Sequence, residues 1–236
     1  MNFALFVSAT FLAAALAGSV SAATIVVNGS FEQGAGVGTA NRTAFGNLGK
    51  SGSAAWDIFT GTNVTGWTAG TNGIEIQTNR TLTGPGGARF DAQDGKNYVE
   101  LDTTGNSSMN QTVFLSGGRY ALSFYYSPRV NTTASSPTTN AINYGLSGSG
   151  GSLFGLMADG PSGSAPMGQW TRFTHEFTAP QGSYRLFFSA TGQSNGYGGL
   201  LDNVSITPVP LPGAGLLLLG AIGGLGLIRR RRNVAR

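Results

Sequence analysis

Between Thr24 and Thr207 apolar and polar residues alternate over short stretches, and Gly, Asn, Ser and Pro separate one stretch from the next. The pattern predicts strands at 24–27, 73–77, 97–102, 109–115, 119–127, 141–147, 170–179, 183–190 and 200–207. Nine such segments suit an all-β sandwich of two sheets. Within 119–127 the period of two puts Tyr120, Leu122, Phe124 and Tyr126 on one face, read as core, and leaves Ala121, Ser123 and Tyr125 on the other. "SGG" at 116–118 and "PQG" at 180–182 are short enough to predict hairpins. Gln33 to Ala55 and Ser127 to Asn140 lack periodicity and read as surface loops, and "SGSGGS" at 147–152 reads as a flexible turn. No repeat of fixed period is present, which argues against a propeller or solenoid.

The two ends follow a different pattern. Residues 1–22 form an apolar run that closes on small residues, with Val20 and Ala22 placed for a signal peptidase to cut between Ala22 and Ala23. Leu211 to Ile228 carries no charge; as a helix it would span ~27 Å, close to the hydrocarbon core of a bilayer. Arg229, Arg230, Arg231 and Arg232 follow and would hold the C-terminus in the cytoplasm, with the domain outside. Gly220 and Gly224 have helix-packing spacing, but among so many glycines that spacing is read as chance. The chain thus divides into a signal peptide at 1–22, a β-sandwich at 23–208 and a C-terminal segment at 209–236 with one transmembrane helix at 211–228. The tail reads either as a permanent anchor or as an address label.

Composition narrows the classes. The formal charge of +4 comes from the last eight residues, which hold five arginines; between Ala23 and Pro208 the charge is −1. That near-neutral domain has no basic stripe and excludes a nucleic-acid partner. With no cysteine there are no disulfides, no thiolate metal sites and no thiol nucleophile, so the domain relies on its core.

The order of short Pro motif, apolar helix and arginine cluster resembles the PEP-CTERM class of bacterial sorting signals, in the variant that begins Val-Pro-Leu-Pro-Ala. The matching residues are Val209, Pro210, Leu211 and Pro212, with Gly213 where the variant has Ala. The resemblance implies an exosortase-like membrane protease as partner. It also implies at least transient residence in the inner membrane, cleavage near the Pro motif, and delivery to the cell surface or an exopolysaccharide matrix.

Most of the middle region resembles exported choice-of-anchor proteins with a galactose-binding-like jelly roll. The resemblance rests on the order of "VVNGSFEQG" (26–34), "GWT" (66–68), "GKNYVELD" (95–102), "MNQTVFLSGGRYALSFYYS" (109–127), "WTRFTHEFTA" (170–179) and "GLLDNVSIT" (199–207). It implies that the first and last strands lie side by side, so that Glu32 and Asp202 meet and, with backbone carbonyls, supply oxygens to a structural Ca²⁺. The alternative is that Asp202 shapes the entry to the last strand while Glu32 is solvated.

Sugar recognition stacks a pyranose on an aromatic ring beside hydrogen-bonding neighbours. Trp56, Tyr125 and Tyr197 are the ligand-binding candidates, being outside the core set or in loops, whereas Trp67 and Trp170 read as core. Glu100 with Asp102, or Asp91 with Asp94, has the spacing a glycosidase needs, but solvated strand edges and turns give the same pattern. His175 is the only histidine and has no nucleophile or second ligand to pair with, so it reads as a packed or half-exposed imidazole. The leading expectation is a noncatalytic, exported surface or matrix protein that binds polysaccharide. The alternatives are a structural or adhesive matrix protein without a small ligand, and last a glycoside hydrolase.

Overall fold

The computed structural model describes residues 24–79, 91–129, 140–158, 169–194 and 196–209. The signal peptide with Ala22 and Ala23, and the C-terminal segment from Pro210 on, lie outside the described residues. No helix among the described residues is long and apolar enough to cross a membrane. The strands are β1 (Trp56–Phe59), β2 (Thr68–Ala69), β3 (Ile74–Thr78), β4 (Asn97–Glu100), β5 (Ser108–Ser127), β6 (Ile142–Gly148), β7 (Gly151–Ala158), β8 (Thr171–Ala190) and β9 (Leu200–Pro208), with one 3₁₀ turn at Phe45–Asn47. All pairings are antiparallel, in the order β1-β3-β4-β9-β5-β8-β6-β7, with β2 on β5.

This single sheet folds over into two layers because β5 and β8 are long enough to belong to both. Their 20 residues each pair from Ser108↔Ser189 to Tyr126↔Thr171. The first half of β5 and the second half of β8 join β2, β6 and β7 in one layer; the remaining halves join β9, β4, β3 and β1 in the other. Aromatic contacts across the interior close the sandwich: Phe124 lies 5.3 Å from Phe188 and 4.7 Å from Tyr144, and Trp67 lies 6.0 Å from Phe188.

The two hairpins expected at 116–118 and 180–182 are not there. Both strands run through, pairing Ser116↔Gln181 and Gly118↔Ala179. Gly117 and Gly118 have φ of 90° and 124°, which favour glycine, and Pro180 opposite has no N–H to leave unpaired. The glycines therefore bend the ladder without reversing it. The inward face changes parity at this corner: Met109, Gln111, Val113 and Leu115 are buried before it, and Tyr120, Leu122, Phe124 and Tyr126 after it. The core face expected for 119–127 is thus the observed one.

Three further differences have local causes. Thr24–Val27 is not a strand; Ile25 N–H donates to Ile206 O (2.9 Å), and Val204 N–H to Gly29 O (2.9 Å), so the segment still lies beside β9. Gln111 completes it, accepting from Val27 N–H at 2.8 Å and donating to Val27 O at 2.9 Å, as a neighbouring strand would. The stretch expected as a surface loop before Ala55 contributes Phe45 and Leu48 to the core. Asp57 holds it: Oδ1 accepts from Ala40, Asn41 and Ile58 N–H (2.9, 3.0 and 2.8 Å) and Oδ2 from Thr43 N–H (2.7 Å). Finally, the glycine-rich turn ends at Gly150, and β7 begins at once as the edge of its layer.

Phe124 sits at the centre of this packing, 1% exposed and ringed by Phe173, Phe188 and Tyr144. Phe124→Ala is expected to cost about 3–5 kcal/mol, measured by chemical denaturation of the domain. A loss below about 1 kcal/mol would mean that the interior is not packed around it.

Candidate functional site

The outer face of the layer built on β9 collects most residues singled out from the sequence. Cross-strand register aligns Trp56 with Gln77 and Gln77 with Tyr98 in one row, and Ile58, Glu75, Glu100, Leu200 and Ser127 in the next. Tyr125 pairs with Asp202 on one side and Arg172 on the other. Trp56 and Tyr125 are both half-buried on this face, but β1 and β5 are four strand spacings apart, so ~19 Å separates their strands. They cannot grip one sugar ring together. Between them Tyr98, Glu100, Leu200 and Asp202 are fully buried, because Trp170 and Ala92 cover Tyr98 and Leu200. Trp170 stands edge-on to Tyr98 at 5.8 Å and donates its indole N–H to Asp91 O (2.9 Å), so it serves this outer cluster rather than the main core, where Trp67 lies.

Beneath this cover is a polar cluster. Glu75 and Glu100 face each other across β3 and β4, and Gln77 Nε2 donates to Glu75 Oε1 and Glu100 Oε2 at 2.6 Å each. The Arg129 guanidinium is bound to Glu100 Oε2, and Gly198 N–H donates to Glu100 Oε1 at 2.6 Å. One guanidinium thus serves two buried carboxyls. Burial pushes Glu75 up to about 7 and Glu100 up to about 8; Arg129 pulls both down, and mutual repulsion keeps Glu100 raised. Near neutral pH the pair therefore retains a proton.

The cluster fixes a loop. Asp102 Oδ2 accepts from Gly196 N–H (3.0 Å) and Tyr197 N–H (3.2 Å), while Glu100 holds Gly198. No side chain fits at Gly198, where a Cβ would stand 2.8 Å from Asp102 Cβ. Tyr197 then lies against Arg129, the guanidinium carbon 4.7 Å from the ring centroid, a cation–π contact. Glu100 and Asp102 do share a locality, as their spacing suggested, but Asp102 holds the 196–198 loop and Glu100 divides its oxygens between that loop and the Gln77–Arg129 pair. Sequence reading missed Arg129, Glu75 and Gln77. The alternation in "GIEIQ" does place Glu75 and Gln77 off the core face, yet nothing local shows that the off-core face is covered.

Glu32 and Asp202 both hold the 93–97 loop. Glu32 Oε1 accepts from Lys96 and Asn97 N–H (2.8 and 2.7 Å). Asp202 Oδ2 accepts from Gln93 and Asp94 N–H (2.8 and 2.9 Å), and its Oδ1 from Asn203 N–H (2.6 Å). Burial pushes Asp202 up to about 7 against these hydrogen bonds. A calcium ion would need six to eight oxygens, so backbone carbonyls would have to join Glu32 and Asp202 around it. Among the described residues no group of three or more His, Cys, Asp or Glu could hold a metal. His175 is half-buried against Phe154, ring centroids 4.4 Å apart.

Compared with family models and with curated proteins, the chain matches none. Solved structures do resemble it. TmCBM61, solved with β-1,4-galactotriose, is 14% identical, with 79% of this chain and 99% of that one covered and a TM-score of 0.47. A family 35 carbohydrate-binding module from Clostridium thermocellum is 15% identical, with 66% and 100% covered and a TM-score of 0.37. The arabinose-bound α-L-arabinofuranosidase MgGH51 is 16% identical, with 82% of this chain but 28% of that one covered and a TM-score of 0.42. All three TM-scores lie below 0.5, and the all-β fold stands on the strand pairings themselves.

The raised carboxyls set the pH dependence of stability. Because Glu75 and Glu100 bind a proton more tightly in the folded state than at the ordinary value of 4.5, their contribution is fully present below that value and is lost as pH rises toward 8. The thermal midpoint should fall over that interval, and Glu75→Gln, which keeps an oxygen for Gln77, should flatten the fall. Parallel profiles for the two proteins would remove Glu75 from the titration.

Proposed function

We propose that the chain is an exported bacterial surface or exopolysaccharide-matrix protein whose sandwich binds polysaccharide without cleaving it. The observation that carries the binding reading is the bracing of Tyr197, held by Asp102 and Glu100 through its loop and by Arg129 against its ring. A half-buried aromatic ring fixed before the ligand arrives loses little conformational freedom on stacking against a sugar. The noncatalytic part is supported by Glu100: it is 0% exposed and both its oxygens are engaged, whereas a general acid must reach the glycosidic oxygen.

Export rests on the two ends. The apolar run closing at Ala22 supports secretion. Val209, Pro210, Leu211 and Pro212, the uncharged stretch to Ile228 and the arginines at 229–232 support sorting by an exosortase-like protease, with the inner membrane as a stopping place.

Affinity electrophoresis of the full-length chain through gels containing soluble polysaccharides tests the binding reading. At least one polysaccharide should retard the protein, and Tyr197→Ala should weaken the retardation about tenfold. Unchanged mobility in every polysaccharide would leave a matrix scaffold without a glycan ligand. Sorting has its own test, intact mass of the exported protein: the mature chain should begin near Ala23 and end ahead of the apolar stretch. A product retaining Arg229 to Arg232 would instead mark a permanent anchor.

A further inference from the structure

The outer face of the other layer carries a second feature. Register sets Asn143, Met157 and Ser189 in one cross-strand row and Gly145, Gly155 and Phe187 in the next. Together they line a trough of about 420 Å³ over β6, β7 and β8, within the size range of small-ligand sites. Among the described residues no charged side chain lines it. The nearest charge along β8 on that face is Arg185, one outward position beyond Phe187.

Two glycines shape this surface. A Cβ at Gly145 would stand 2.9 Å from the Phe187 ring, so the absence of a side chain lets the ring, which also lines the trough, rest over β6. A Cβ at Gly155 would meet nothing within 4 Å, so that end of the floor is open. An aromatic platform, an amide at Asn143, a hydroxyl at Ser189 and a thioether at the rim are present, without a charge to be desolvated. We infer that this trough is a second glycan site, specific for neutral sugar units, with a pyranose stacked on Phe187 and its hydroxyls hydrogen-bonded by Asn143 and Ser189. The inference rests on the polysaccharide-binding reading and adds a site and a substrate class to it.

The test uses the full-length chain in affinity gels containing galactan, laminarin or hydroxyethyl cellulose, all uncharged, with polygalacturonate as the charged counterpart. A neutral glycan should retard the protein, and Phe187→Ala should weaken that retardation at least tenfold. Gly155→Glu fills the trough at a position with room for a side chain, so it should weaken retardation as much while leaving the thermal midpoint near that of the parent. If neutral glycans retard both variants as strongly as the parent and Tyr197→Ala abolishes binding, the trough is not a site and the broader reading stands. Retardation by polygalacturonate alone also overturns the trough. If no polysaccharide retards the parent, both readings fall.

Discussion

The ladder between β5 and β8 is the constraint on which the rest of the sandwich depends. Every other strand joins one layer or the other through it: β2, β6 and β9 pair directly with one of its two strands, and β7, β4, β3 and β1 follow outward from those. The bend at Gly117–Gly118 opposite Pro180 turns one pair of strands into two stacked layers without breaking the pairing. Phe124 and Phe188 meet only because of this fold-over, since they lie on opposite sides of the corner.

Once the layers are set, buried carboxylates organise what is irregular. Asp57 gathers the 40–43 segment, Asp202 and Glu32 grip 93–97 from two sides, and Glu100 and Asp102 hold 196–198. Loops cannot supply their own backbone partners as a ladder does, and a carboxylate that accepts two or three N–H groups satisfies donors that burial would otherwise leave unpaired. In a chain with few charged residues, acidic groups at strand ends thus serve loop geometry more than solubility. The same use explains why Glu100 and Asp102, spaced as a glycosidase pair would be, are occupied with backbone donors.

Legibility in the sequence follows from the range of each interaction. Alternation over eight or nine residues was readable, so the inward set Tyr120, Leu122, Phe124 and Tyr126 and the outward placement of Tyr125 were found correctly. The continuity of β5 and β8 was not, because Gly-Gly and Pro-Gln-Gly have the same local chemistry whether a strand reverses or bends; the partner decides. β7 was hidden by the glycines that begin it, and Phe45 and Leu48 by having no periodic neighbours. Resemblance places the N-terminal segment beside β9, where the backbone hydrogen bonds to Ile206 and from Val204 have it. Arg129 over Glu100 needed residues far apart in the chain to be brought together, and only the fold could show it.

The two outer faces divide the work by what lies above them. Over β3, β4 and β9, loops and Trp170 seal polar side chains, and the price is a pair of acidic groups that cannot both ionise easily. That seal converts Tyr197 from a mobile loop residue into a fixed one at its margin. Over β6, β7 and β8 none of the described lining residues is charged, and glycine keeps the floor low, so recognition there relies on shape and an aromatic surface. Sheets of the same construction can therefore present a rigid polar margin on one side and an uncharged trough on the other. The difference arises not in the ladder but in whether the outward positions carry carboxylates that attract loops or small residues that leave the surface bare.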